Sequence, residues 1–312
     1  MKVIVTGATG FVGTELCKHL VAEGDDVLPL AGEGPEFLDI LNGDGVREAF
    51  AGSGAEAVVH LAALSHVGNS FENPRDTLRV NVEGTWNVLD AAHVAGVGRV
   101  LVVGSAAEYG GSAGSEPITE ECALRPVTPY GASKVAAEYL GLQAFLSRGL
   151  GTIMTRSFNH TGPGQSPQFV VPALARRVAQ AEAEGRDEIE VGRLDSVREF
   201  NDVRDIVGAY RQLIRLGEAG SVYNVCSGVG YSIGEVAGRL IALANRPIRL
   251  HQDPALLRAV ESARLVGDPS KLKSHTGWEP RWTLDQTLKD VLERARSEIR
   301  ASSSLPLGAE AS

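Results

Sequence analysis

Thr6-Gly7-Ala8-Thr9-Gly10-Phe11-Val12-Gly13 decides how this chain is read. Three glycines stand three residues apart, directly behind the run Lys2–Thr6 and ahead of Val12, Leu16 and Leu20, which recur at helical spacing. Strand, glycine turn and helix in that order make a phosphate cradle. Gly7 permits the tight turn, Gly10 lets the backbone approach a pyrophosphate, and Gly13 lets the helix press on the sheet. The helix N-terminus then faces the anion. A glycine turn with no ligand is the bland alternative, and the position between a strand and an amphipathic helix argues against it. Thr9, Phe11 and Val12 join the three glycines as candidate cofactor contacts.

Working outward, Val27–Leu30, Ala57–Leu61, Arg99–Val103 and Thr152–Arg156 read as further strands, and Val82–Ala95 and Ser133–Leu146 as helices. Apolar runs without alternation suit strands covered on both faces. Strands separated by helices imply right-handed βαβ units. The expected fold is α/β, a Rossmann-type doubly wound parallel sheet over residues 1–158. From Asn159 the texture changes at Gly162-Pro163-Gly164. Helices are expected at Val170–Glu184, Val203–Leu216, Ile233–Ala244 and Leu284–Ile299, with short strands near Glu190–Val191 and Ser221–Val225. These describe a smaller mixed α/β substrate-binding lobe over residues 159–300, with room for the chain to cross back to the first domain. Residues 301–312 read as a frayed tail.

Composition narrows the function classes. The chain has 312 residues, with 30 Lys+Arg against 39 Asp+Glu and a net charge of -9. That balance disfavours general nucleic-acid binding, which depends on phosphate neutralisation. A local basic pocket for a phosphorylated small molecule stays open. Cys17, Cys122 and Cys226 have neither zinc-ligand spacing nor a disulfide framework, so no metal site is expected and a reducing compartment is. No apolar run approaches the ~18–20 residues of a membrane span. Met1-Lys2 leads straight into Val3-Ile4-Val5, leaving no room for a secretory signal; a cytoplasmic location is expected.

The glycine spacing resembles the short-chain dehydrogenase/reductase superfamily, especially its extended sugar-nucleotide branch. His60-Leu61-Ala62-Ala63 and Asn81-Val82-Glu83-Gly84-Thr85 agree with that branch. The resemblance implies an NAD(P) cofactor. It places Leu61, Ala62, Ala63 and Asn81 beside that cofactor, and Asp39-Ile40 against the adenine ring. After the second strand, Ala31 and Gly32 stand where an acid for NAD or a nearby Arg for NADP is expected. The absence of a cation there leans towards NAD, with Glu33 within reach of the ribose.

Tyr130-Gly131-Ala132-Ser133-Lys134 places a phenol and an ammonium one helical turn apart on one face. A phenol titrates near ~10 when unperturbed, and a neighbouring ammonium lowers that value. Tyr130 is then expected to exchange a proton with a sugar hydroxyl or carbonyl near neutral pH. Lys134 also suits a hydrogen bond to the nicotinamide ribose. By the resemblance, Ser105 is the third catalytic residue and a substrate contact, holding the reacting oxygen for Tyr130. Related 4,6-dehydratases carry an acid two positions after this Ser/Thr. Ala107 occupies the position here, and Glu108 is expected to point elsewhere. Dehydration is therefore disfavoured.

Arg156-Ser157-Phe158-Asn159-His160-Thr161-Gly162-Pro163-Gly164-Gln165, with Phe169-Val170, resembles the group of GDP-4-keto-6-deoxy-D-mannose reductases and GDP-mannose 4,6-dehydratases. Blocks around Ser65-His66, Arg193, Arg198, Arg258 and Glu261 agree. Arginine clamps phosphate oxygens bidentately, which suits Arg193, Arg198 and Arg258. Asn159 offers both a donor and an acceptor, and Glu261 can accept from a ribose hydroxyl or a guanine edge. Ser65, His66 and Val170 complete the candidate substrate contacts. His66 and His160 read more readily as satisfied loop histidines than as catalysts. The resemblance implies NAD(P)-dependent reduction of a nucleotide-linked 4-keto-6-deoxyhexose, GDP-linked by preference. The rival is an epimerase or 4,6-dehydratase that recycles a tightly held cofactor, including one adapted to a natural-product pathway. A catalytically silent NAD(P)-binding regulator would need a broken catalytic set. Members of the branch commonly pair through the helix bearing the tyrosine and the one before it, so a homodimer is expected.

Overall fold

A computed structural model describes residues 1–31, 38–112, 116–253, 255 and 264–303. Six parallel strands form the main sheet: β1 (Lys2–Thr6), β2 (Asp26–Leu30), β3 (Ala57–His60), β4 (Arg99–Ser105), β5 (Gly151–Ser157) and β6 (Val222–Val225). Their order across the sheet is β6-β5-β4-β3-β1-β2. The direction of travel reverses between β1 and β3, and at such a switch point the carboxyl ends of the strands open a crevice.

Strand periodicity explains the layers. Val3, Val5, Val59, Leu101 and Ile153 join one buried cluster with Leu16 and Leu20 of the helix Phe11–Ala22 and with Ile206, Tyr210 and Leu213 of the helix Val203–Leu216. Their neighbours Ile4, Val58, Val100, Val102 and Met154 point to the opposite face. There they meet Phe50, Val88, Leu89, Ala137 and Ala144. Alternate residues of one strand feed two cores, so both faces need apolar side chains. Each fully buried aliphatic side chain contributes about 1.5–3 kcal/mol.

The smaller unit has its own core. Helices Val170–Glu184, Ile233–Ala242 and Leu284–Ser303 bury Leu174, Val178, Val236, Leu240, Leu288 and Leu292 together. The paired strands Glu188–Val191 and Arg249–Gln252 complete it. The helix Val203–Leu216 and β6, which lie after Asn159 in the chain, are built into the main sheet's layers.

Two expectations need correction. The last helix runs through Ser303, so residues 301–303 are helical rather than tail. No Gly or Pro interrupts that stretch, and Ser302 Oγ donates to the Ile299 carbonyl at 2.9 Å. The helix expected at Ser133 starts at Pro129, with Thr128 as its cap accepting the Gly131 N–H at 2.9 Å. Tyr130 therefore sits in a capped, proline-started first turn, where its backbone is fixed.

Candidate active site

The carboxyl ends of β1, β3, β4 and β5 open onto one cleft of about 1550 Å³. Gly7, Thr9, Gly10, Phe11, Val12 and Gly13 line its floor. Gly7 has φ 70°, and a Cβ there would stand 2.8 Å from the Ala62 nitrogen, so only glycine lets the two strand ends meet. At Gly13 a Cβ would strike the Gly7 carbonyl oxygen and stand 2.8 Å from Ala8 Cα. That glycine thus serves closure of the loop itself. The helix Phe11–Ala22 begins at Gly10 with no side-chain cap and no acid in its first turn. Its first N–H groups border the cleft undressed, as an anion requires. Loop and helix start therefore fit the pyrophosphate of a dinucleotide.

Leu61, Ala62 and Ala63 line the next wall, and Asp39 and Ile40 line the far end beside Leu30 and Leu38. Asp39 Oδ1 accepts the Leu41 N–H at 2.9 Å, and Asn87 Nδ2 holds the Ile40 carbonyl at 2.8 Å, so this rim is braced by polar side chains. Asn81, expected as a cofactor contact, does not line the cleft. Its Oδ1 accepts the Leu64 N–H at 2.8 Å, while its Nδ2 donates to the Leu64 carbonyl at 3.0 Å and to Ser133 Oγ at 2.9 Å. Ser133 Oγ in turn donates to the Tyr130 carbonyl at 2.7 Å. Asn81 is spent on bracing one wall against the helix that bears Tyr130. Sequence spacing cannot separate that role from direct contact.

Ser105, Tyr130 and Lys134 converge on the same cleft. Ser105 ends β4, and its side chain faces the Tyr130 phenol across the cleft wall. Lys134 Nζ donates to the Val103 carbonyl at 2.9 Å and lies 6.0 Å from the centre of the Tyr130 ring. Burial pushes the phenol up to about 12, against the lowering effect of the nearby Ser105 hydroxyl, and the Glu108 carboxyl raises it further. Burial takes the Lys134 ammonium down to about 8. The expected lowering of Tyr130 by Lys134 is thus not found in the protein alone, where desolvation dominates the phenol. Ala107 lines the cleft, whereas Glu108 is wholly buried behind it.

On the other side stand Ser65, His66, Asn159, Val170, Arg193 and Arg198. His66 Nδ1 accepts the Asn69 N–H at 3.0 Å, which leaves a neutral ring's proton on Nε2, and its ring meets Phe169 edge-on at 5.8 Å. His160 is half-buried with its pKa lowered by desolvation, and its ring stacks on Phe11 at 6.5 Å. It ties the glycine loop to the smaller unit. Arg193 pairs with Asp195 at 2.6 Å, and Arg198 Nη1 donates to the Val197 carbonyl at 2.8 Å. Arg258, Glu261, Gly32 and Glu33 lie outside the described residues. Arg177 was missed from the sequence. It lines the cleft with Val170 and Leu174, and donates to the Glu190 carbonyl at 2.9 Å. The signal was present: these three stand at i, i+4 and i+7 of one helix, which is a single face.

A glycine loop at the switch point of a doubly wound sheet, with Ser, Tyr and Lys at the adjoining strand ends, defines a dinucleotide-binding protein of the short-chain dehydrogenase/reductase class. The chain belongs to the GDP-mannose 4,6 dehydratase family, whose family model matches residues 36–291. It is 38% identical to the GDP-6-deoxy-D-mannose reductase of Pseudomonas aeruginosa, over 96% of this chain and 98% of that one. The solved structure of RMD from Pseudomonas aeruginosa complexed with NADPH superposes with a TM-score of 0.88 at 36% identity, covering 95% of this chain and 99% of that one. The UDP-glucose 4-epimerase of Thermus thermophilus in complex with NAD superposes with a TM-score of 0.85 at 28% identity, covering 95% and 99%.

Proposed function

We propose that this protein reduces a GDP-linked 4-keto-6-deoxyhexose to the GDP-6-deoxyhexose at the expense of NAD(P)H. The observation that carries the reading is one cleft with an anion-binding glycine loop at one end, arginines at the other, and Ser105, Tyr130 and Lys134 between. Similarity to a GDP-6-deoxy-D-mannose reductase over nearly the whole chain supports the substrate class.

Bound NAD(P)H supplies the hydride. The Ser105 hydroxyl donates to the ketone oxygen and orients it. Tyr130 donates its phenolic proton to that oxygen as negative charge develops; even at about 12 a phenol is a stronger acid than the sugar alcohol it produces. The Lys134 ammonium stabilises the phenolate left behind. Asn159 and the arginines hold the diphosphate.

The same geometry disfavours the dehydratase rival. Ala107 presents a methyl where elimination needs a carboxylate, and the neighbouring Glu108 is turned into the interior. The test is to supply a GDP-4-keto-6-deoxyhexose and, separately, GDP-mannose, with and without NADH or NADPH. Stoichiometric coenzyme oxidation with the keto sugar supports the reading; turnover of GDP-mannose without added coenzyme refutes it. NADH is the preferred donor in this proposal, because no Lys or Arg stands between Lys18 and Arg47 to meet a 2′-phosphate. A higher kcat/KM with NADPH overturns that part alone.

A homodimer completes the proposal. Trp86 and Val94 of the helix Gly84–Val94, with Tyr139 and Leu146 of the helix Pro129–Arg148, leave apolar surface exposed. Arg148 stacks on Trp86 at 4.8 Å and joins the two helices into one face. Light scattering should give twice the chain mass, and Leu146→Glu should halve it.

A further inference from the structure

Behind the Ser105–Tyr130 pair lies a buried cluster that the chemistry above does not use. Glu108 is fully buried in the turn after β4. Its Oε1 accepts the Ser105 N–H at 2.7 Å, while Ser105 Oγ accepts the Ala107 N–H at 3.2 Å. The two residues cap one another. Gly104 makes room for this arrangement: a Cβ there would strike Glu108 Oε1 and the Thr155 carbonyl oxygen. The other carboxyl oxygen, Oε2, receives no hydrogen bond from any donor among the described residues. Arg156 stands 3.8 Å away from it, but its fork is taken by Glu138, at 2.8 and 2.7 Å. Arg156 also donates to the Tyr109 hydroxyl at 3.0 Å and to the Glu120 carbonyl at 2.8 Å. Glu108 therefore faces the Glu138 carboxylate with one arginine between two acids.

We propose that Glu108 is a positioning residue, whose buried carboxyl fixes Ser105 beside Tyr130 and, by keeping its proton against Glu138, withholds negative charge from the Tyr130–Lys134 pair. The proposal rests on the reading of Ser105, Tyr130 and Lys134 as the reacting set. A buried carboxyl oxygen that no donor faces suits a proton rather than a charge, and Oε2 is that oxygen. Burial first, and then the Glu138 charge, push Glu108 well above the usual carboxylate range. The charged and titratable groups facing it are Arg156 from β5, Glu138, Tyr130 and Lys134 from the helix Pro129–Arg148, and Tyr109 from its own turn. An ionised Glu108 would raise the titration of both Tyr130 and Lys134.

Two variants test this in the coenzyme-oxidation assay with the keto sugar. Glu108→Leu removes the bond to Ser105 and should lower kcat about 10- to 100-fold, with KM within about twofold. Glu108→Gln keeps shape and acceptor and should restore kcat to within about threefold at neutral pH. Because Gln copies the protonated carboxyl, the alkaline limb of the pH–kcat profile should stay within about 0.2 units of its position in the unaltered protein. A Glu108 that carried charge would give a limb shifted down in Glu108→Gln, since loss of that charge lets Tyr130 and Lys134 titrate lower. Full kcat in Glu108→Leu, or a limb shifted down by about half a unit or more in Glu108→Gln, overturns the proposal. Tyr130→Phe separates the two failures. If it abolishes turnover while neither Glu108 variant has an effect, Glu108 is excluded and the reacting set stands. If it leaves turnover intact, the reacting set falls and the Glu108 assignment with it.

Discussion

The two walls of the cleft are built differently. The dinucleotide wall is backbone: strand ends and glycines in van der Waals contact, as where Gly7 meets Ala62, braced by the buried side chains of Asn81 and Ser133. The opposite wall, where the proposal puts the sugar, is side chain: Arg177, Arg193 and Arg198 reach in from a helix, a loop and a short strand, with Arg193 about two-fifths exposed. Backbone cannot be retuned without breaking the fold, whereas an arginine can be exchanged at little cost to it. The contrast accounts for a family that holds one kind of cofactor and turns over different sugars.

Three measurements sharpen or break that contrast. The largest effect should come from Gly7→Val, which forces a β-branched residue into positive φ and against Ala62. NADH affinity should fall at least ~100-fold, while the affinity for GDP-sugar stays within ~3-fold. Titration by nucleotide fluorescence checks both, and equal losses would mean that the walls are not independent. Next, Arg177→Ala should raise KM for the nucleotide sugar about tenfold, near 1.4 kcal/mol, and leave KM for NADH unchanged. A loss in coenzyme binding instead would move Arg177 to the other wall.

A third measurement concerns stability rather than binding. His60 is buried under the dinucleotide wall, with its ring nitrogens 2.8 Å from Thr6 Oγ1 and 3.0 Å from Thr85 Oγ1. Burial, aided by the Lys134 ammonium, holds its pKa at about 3. Below pH ~6.5 the unfolded chain protonates this ring and the folded one does not, so stability falls as pH drops from ~6.5 towards 3. The slope is about 1.4 kcal/mol per pH unit. Urea midpoints of the protein and of His60→Gln between pH 6.5 and 4 should converge as the acid penalty of the wild type grows. Parallel curves would show that the ring titrates normally in the folded state.

The same division governs what could be read from the sequence. Backbone features left periodic marks. Lys2–Thr6, Val170–Glu184 and Val203–Leu216 fall where the apolar spacing puts them, and the glycine loop announces itself. The orientation of single polar side chains leaves no such mark. Asn81 looks alike whether it touches a cofactor or Leu64, and only tertiary packing sends it to the latter. Arg177 was on a readable face, but nothing in the spacing says which face of that helix meets the cleft. The titration of Tyr130 depends on how deeply both it and Lys134 are buried, a property of the assembled cleft and not of a YxxxK spacing. Arg258 and Glu261 lie outside the described residues.

The return of β6 to pair with β5 bears on synthesis. Until residues 222–225 leave the ribosome, β5 presents an unpaired strand edge through all the time that residues 158–221 are being made. A nascent chain with that edge open is a target for strand-adding association with its neighbours. Chaperone occupancy on this protein should therefore persist past the completion of the glycine loop and β5, and drop only when the last strand of the sheet emerges.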